Sequence, residues 1–148
     1  MSDGPILFYG VGEEFGCFSN FSPFPIRLKN RVWPTAEHYF QAQKFAGTPH
    51  EDEIRKAPSP MVAARLGRSR QRPLRRDWES AKDGIMLEAL RAKFGQHEDL
   101  KRILMETGER RLVEHTPRDR YWADGGDGSG RNRLGELLMR VRAEFLKS

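Results

Sequence analysis

The chain has 148 residues, with 26 Lys plus Arg against 21 Asp plus Glu, 37% hydrophobic residues and one cysteine, a balance that predicts one soluble globular domain over residues 1–148 and excludes two full domains. No run approaches the roughly 18 apolar residues of a membrane span, and Met1-Ser-Asp-Gly-Pro5 lacks the basic start and apolar stretch of a secretory signal, so a cytoplasmic protein without a membrane partner is expected. The single Cys17 allows neither an intrachain disulfide nor a thiolate zinc cage, and the core must hold the fold alone.

In chain order, Ile6-Leu-Phe-Tyr9 reads as a short strand, ended by Gly10 and Gly12 before a loop carrying Phe15, Phe18, Ser19, Asn20 and Phe21. Residues 25–28 and 31–33 form a predicted hairpin across Lys29-Asn30, with Asn30 the residue most tolerant of positive φ. Thr35 caps a helix over residues 35–45, which Gly47 and Pro49 stop. Two short helices follow, at 49–56 and at 60–67, the latter with Ser59 as N-cap and Pro60 at its first position. Asp77 can cap a longer helix over 78–94 with Gly95 as its stop. A further helix spans 98–107 and ends at Gly108, a strand returns at 111–115, and a glycine-rich loop at 124–130 leads into a last amphipathic helix over 132–146. The fold class is therefore α+β, helix-rich, with a few short strands and no repeat.

Net charge is +5, yet Arg55, Lys56, Arg65, Arg68, Arg70, Arg72, Arg75 and Arg76 place eight positive charges in a stretch without an acid, leaving the rest of the chain net acidic. Any one of these arginines reads most simply as a solvated side chain whose stem covers apolar surface. As a block they point to an anionic partner, a phosphate on a nucleotide, a sugar or a nucleic acid.

On the helix at 35–45, a turn of about 100° per residue puts Glu37, Gln41 and Lys44 in one narrow stripe, flanked by Phe40 and Phe45. The rest of that helix is apolar, so the stripe faces either solvent or a cleft. Trp33, Trp78 and Trp122 could pack in the core, and an indole such as Trp122, beside Tyr121, could also stack on a planar base. Asp124-Gly-Gly-Asp-Gly-Ser-Gly130 with Arg131 can present backbone amides to a phosphate, or serve as a connector capped by Ser129 or Asn132; it is neither a dinucleotide fingerprint nor a Walker loop. His38, His50, His97 and His115 have no metal-ligand spacing, so no metal and no cofactor is expected. Cys17 has no base beside it, and neither Ser19 nor Ser80 sits in a nucleophile elbow.

Phe18-Ser-Asn-Phe21, Trp33-Pro-Thr-Ala-Glu-His-Tyr-Phe-Gln-Ala-Gln-Lys-Phe45, Pro60-Met-Val-Ala-Ala-Arg-Leu-Gly-Arg68, Arg76-Asp-Trp78, Leu112-Val-Glu-His115 and Gly130-Arg-Asn-Arg-Leu-Gly135 together resemble the NADAR, or YbiA-like, N-glycosidase family, over residues 6 to 145. The likeness is strongest to its stand-alone bacterial branch, the riboflavin biosynthesis intermediates N-glycosidases. It implies hydrolysis of the bond between a ribose 5-phosphate and an aminopyrimidine, a small-molecule substrate. Other branches resemble it in motif and remove ADP-ribose from guanine in nucleic acid, which keeps ADP-ribosylated nucleic acid open as a partner; a non-catalytic reader of ADP-ribose or NAD-derived ligands is the third reading.

By the same likeness Glu37, Trp78, Trp122, Asp124 and Lys44 fall on the family's motif positions, and Asn20 joins the substrate-binding set. One departure is Ala123, where relatives commonly carry Gly; alanine disfavours positive φ, which bears on the loop path that places Asp124. Cleaving a ribosyl C–N bond passes through an oxocarbenium-like cation. Glu37 is expected to stabilise it and to act as base on water, with Asp124 orienting ribose hydroxyls or assisting as a second acid. Lys44 as amine nucleophile on the ring-opened sugar is the other route. Arg65 and Arg68, with Lys82 or Arg131, are expected at the phosphate, and Trp78 or Trp122 at the base.

Overall fold

A computed structural model describes residues 4–147, so most of the start weighed above for a secretory signal lies outside the described residues. The architecture is α+β, six helices with a few short strands, in two compact units: Asn20–Gln96, and the described parts of Met1–Ser19 with His97–Ser148. Among the described residues no helix is long and apolar enough to cross a membrane.

In the Asn20–Gln96 unit the antiparallel hairpin joins β2 (Ile26–Leu28) to β3 (Arg31–Trp33), with Ile26 opposite Trp33. Lys29 and Asn30 both take positive φ, 57° and 60°, the two-residue turn whose twist matches the strands. Lysine is a poor resident of that region, but its ammonium reaches Glu51 at 2.7 Å and Gln43 at 3.0 Å. Helix α1 (Ala36–Ala42) is shorter than the predicted 35–45 because its last turn tightens to a 3-10 turn at Gln43–Phe45. Thr35 caps it, as expected, accepting from the His38 amide.

Thr48 and Ser59 cap α2 (Pro49–Arg55) and α3 (Pro60–Arg68) in the same manner. Every residue of α1 is buried, and Trp33, Tyr39, Phe45 and Ile54 form the core around it. His38 is a satisfied core histidine, with Nδ1 at Thr35 Oγ1 and Nε2 at Ala57 O.

Helix α4 (Trp78–Gln96) corrects two expectations. Gly95 does not stop it, because the Gln96 carboxamide accepts from Arg27 N at 2.8 Å and donates to Arg27 O at 2.9 Å, tying the last turn to β2. The Asp77 carboxylate does not cap it, because Arg75 takes both oxygens at 2.6 and 2.9 Å.

In the other unit β1 (Ile6–Phe8) pairs in parallel with β4 (Leu112–Glu114), Ile6 opposite Leu112. The loop after β1 contains an unpredicted 3-10 turn, Gly16–Phe18, that brings Phe18 edge-on to Phe8 at 5.6 Å. Helices α5 (Glu98–Glu106) and α6 (Arg133–Lys147) pack together, and α6 also packs on β4. Just before α6, Asn132 is buried at φ 52°. Its carboxamide acts as a missing strand, accepting from Glu114 N at 3.0 Å and donating to Leu112 O at 2.9 Å. Gly135 permits this approach, since a Cβ there would lie 2.0 Å from Leu112 O.

Asn132→Ala strands one amide and one carbonyl and is expected to cost about 2 kcal/mol in urea unfolding. Asn132→Gly suits the positive φ yet loses both bonds, so it should be comparably destabilised; a wild-type-like Gly variant would assign the effect to the backbone instead.

Candidate active site

Glu37 lies in the first turn of α1, where the helix dipole favours a carboxylate, and is 7% exposed. Its amide donates to Asn20 O at 3.1 Å, and Gln41, one turn on, donates from Nε2 to Glu37 Oε2 at 2.7 Å. The polar stripe is therefore interior, not the solvent side of the helix. Gln41, itself 4% exposed, turns Oε1 toward α3 at Gly67, where a Cβ would fall 2.1 Å from that oxygen. The close approach of α1 and α3 depends on Gly67 having no side chain. Asn20 is buried beside the same turn, its Nδ2 on Met86 Sδ at 3.2 Å.

Among the described residues, Asn20 Oδ1 and Gln41 Oε1 are buried acceptors with no hydrogen-bond partner. Each such orphan costs about 1–3 kcal/mol, and here both belong to residues bonded to Glu37. Sequence reasoning placed Gln41 on the stripe but gave it no part, and Gly67 looked like a helix end.

Lys44 sits one turn further on, beside an open cleft of about 540 Å³ that Gly67, Arg68, Arg70, Arg72 and Trp78 also line. Its ammonium donates to Gly67 O at 3.3 Å and lies 5.7 Å from the centre of the Trp78 ring. Burial holds the Lys44 amine below the usual lysine range; the Glu37 carboxylate opposes this, and the positive charges of Arg68 and Lys82 reinforce it. Trp78 packs on Phe40 at 5.1 Å and is only 6% exposed, so it is a wall of the cleft and not an open stacking face. Lys82 pairs with Glu79 at 2.8 Å, and Arg65 is exposed on α3 outside the cleft lining.

Asp124, Trp122 and Arg131 belong to the other unit. The buried Asp124 carboxylate accepts from His115 Nδ1 at 2.7 Å, Thr116 N at 3.1 Å and Gly126 N at 2.8 Å. Burial pushes its carboxyl up, but those donors outweigh burial and leave it below the usual aspartate range. The same three bonds tie the Asp124 carboxylate to its loop.

Ala123 is fully buried and outside the positive-φ region, so alanine is accommodated there. In the glycine loop the Gly125 amide is spent on Asp119 O, and those of Gly126, Ser129 and Gly130 on Asp124 and Asp127 of the loop itself, so none of these four is free to cradle a phosphate. Trp122 is half-buried and edge-on to Tyr121 at 4.9 Å, and the exposed Arg131 lies over Tyr121 at 5.0 Å.

An α+β chain with a buried carboxylate, a half-buried amine and a basic cleft has the groups a glycosyl hydrolase needs, and comparison with known proteins places it. Residues 7–146 match the NADAR domain. The chain is 54% identical to N-glycosidase YbiA of Escherichia coli, over 98% of this chain and 91% of that protein, and 46% identical to N-glycosidase Npun_R5314 of Nostoc punctiforme, over 95% and 92%. It is 42% identical to the chloroplastic riboflavin biosynthesis protein PYRR of Zea mays, covering 95% of this chain and 25% of that one. The NMR structure of the E. coli protein YbiA superimposes with a TM-score of 0.91 at 52% identity, over 99% of this chain and 88% of that one. The protein is an enzyme, a hydrolase acting on N-glycosyl bonds. The chain belongs to the NADAR family.

Gly67→Ala drives a methyl to 2.1 Å from Gln41 Oε1 and 2.8 Å from its Cβ, and a loss of about 1–3 kcal/mol is expected in urea unfolding; adding Gln41→Ala, which removes the carboxamide but keeps Cβ, should recover only part of it. For Asp124, a carboxyl lowered on folding stabilises fully above its ordinary value near 3.8 and loses that contribution as pH falls through its lowered value. Asp124→Asn should therefore flatten the acid limb of thermal stability below about pH 4, measured by calorimetry.

Proposed function

We propose that the chain hydrolyses the N-glycosidic bond joining a ribose 5-phosphate to an aminopyrimidine, an early intermediate of riboflavin synthesis, and releases ribose 5-phosphate. The observation that carries this reading is the Glu37 carboxylate, buried on α1 with one oxygen held by Gln41 and acting on the charge of Lys44, which lines a cleft together with arginines. The riboflavin name of the maize relative supports the pyrimidine side of it.

As the C1′–N bond breaks, its electron pair leaves with the base, and the sugar gains oxocarbenium character that an anion in an apolar site stabilises strongly. Water adds to C1′ and gives a proton to Glu37, which passes it to the departing amine. The sum is one water added across one bond. Asn20, at the first turn of α1, and Trp78, walling the cleft, hold the substrate in place, and Arg68 meets its phosphate with Lys82 behind it.

A second route is favoured by the lowered Lys44 amine. In the ring-opened sugar the neutral amine adds to C1′, expels the base amine to leave a Schiff base, and water then releases ribose 5-phosphate and regenerates Lys44.

Ribose 5-phosphate release from 5-amino-6-ribosylaminouracil 5′-phosphate, measured against a no-enzyme control, tests the reading. Glu37→Gln preserves volume and should fold, yet lose at least about 100-fold in turnover; a variant that keeps most of its turnover removes Glu37 from the chemistry. Borohydride added during turnover separates the routes: a reduced sugar adduct on Lys44, seen by mass spectrometry and absent in Lys44→Arg, would establish the amine route. Trapping should then rise with pH to a plateau reached below the usual lysine range. Absence of the adduct at full turnover leaves Glu37 and water.

A further inference from the structure

Half of the basic stretch that looks unbroken in sequence is paired in the fold with acids from its flanks. Arg55 and Lys56 pair with Asp52 at 2.7 and 3.1 Å, and Arg75 pairs with Asp77 at 2.6 Å. Arg72 lines the cleft but gives its fork to Glu53, with Nη2 2.9 Å from each carboxylate oxygen. Among the described residues, Arg65, Arg68, Arg70 and Arg76 are the members of the stretch without an acidic partner, and of these Arg68 and Arg70 line the cleft.

They flank Ser69, whose extended backbone ends α3. The carbonyl of Gly67 in that last turn, the negative end of the helix, is taken by the Lys44 ammonium and is not presented to the cleft.

We propose that Arg68 and Arg70 form an anion subsite for one terminal phosphomonoester, and that Arg70, which no motif singled out, is a specificity-determining residue for it. This rests on the proposed ribosyl phosphate substrate and deepens it. Two guanidiniums without internal partners can each offer a paired set of N–H donors to a dianion, at no cost of breaking an existing ion pair. Arg72 would first have to give up Glu53. A cleft of about 540 Å³ falls within the roughly 300–1,000 Å³ of small-ligand sites. The pairing of half the stretch also removes the long run of free charge that a nucleic acid backbone would use, so the ligand is a small monoester and not a polyanion.

Titration calorimetry with ribose 5-phosphate, the proposed product, needs no turnover and therefore tests the subsite apart from the reaction. Wild type should bind ribose 5-phosphate; Arg68→Ala and Arg70→Ala should each weaken it about tenfold or more, and Arg76→Ala should stay within about twofold. Unphosphorylated ribose should not distinguish the variants. Both cleft arginines are exposed, so unchanged melting temperatures are expected and serve as the fold control.

No binding by wild type, or an Arg70→Ala variant within about twofold of it, overturns the subsite. Tighter binding of a single-stranded oligonucleotide, steeply salt-dependent and weakened by Arg76→Ala, overturns the monoester in favour of nucleic acid. Ribose 5-phosphate bound through Arg70 without hydrolysis of the aminopyrimidine substrate would leave the subsite standing and bring down the proposed reaction alone.

Discussion

Burying one carboxylate on a helix with no exposed residue is the constraint around which the Asn20–Gln96 unit is arranged. A carboxylate taken out of water needs donors and favourable dipoles, or its desolvation is uncompensated. Glu37 finds them locally, at the N-terminal turn that Thr35 caps and through Gln41 one turn on. Gln41 can turn its amide to Glu37 only by pointing its carbonyl at α3, and there α3 has Gly67. The close approach of the two helices, down to Gln41 Cβ at 2.8 Å from where a Gly67 Cβ would stand, keeps that position a glycine. The carbonyl of that glycine in turn receives Lys44, so carboxylate, amide, glycine and amine form one connected path from the buried helix to the cleft.

Much of this was legible because it is local chemistry. Thr35 and Ser59 carry cap signals within three residues of their partners, and Asn30 announces its own turn. The stripe of Glu37, Gln41 and Lys44 follows from helical periodicity alone, though whether it faces water or protein does not.

What misled was chemistry completed at a distance. Gly95 is a stop signal that the Gln96 grip on Arg27 overrides, and Asp77 is a cap residue claimed by a neighbouring arginine. Arg72 finds Glu53 at a separation of 19 residues, which no window-based charge count contains. The surroundings of Asp124 were hidden in the same way: its donors are two backbone amides and a histidine brought together by the loop's own path. The family motifs supplied positions for these residues, but the hydrogen bonds that decide their protonation come from the fold.

Lys44 is where the charges of this unit meet. Its amine is pulled toward the neutral form by burial, Arg68 and Lys82, and toward the ammonium by Glu37. An anion held by Arg68 and Arg70 cancels part of the positive push without touching the burial or the carboxylate. The amine in the occupied cleft therefore holds its proton more tightly than in the empty one. An ammonium is no nucleophile, but beside Trp78 and Gly67 O it keeps its place and its charge. On the proposed reaction, a bound phosphate would bias the site away from the Schiff base and toward water activated by Glu37, whereas a substrate lacking phosphate would leave Lys44 in its more nucleophilic state. In the proposed reaction the two routes are then not fixed alternatives, and the charge of the substrate would choose between them.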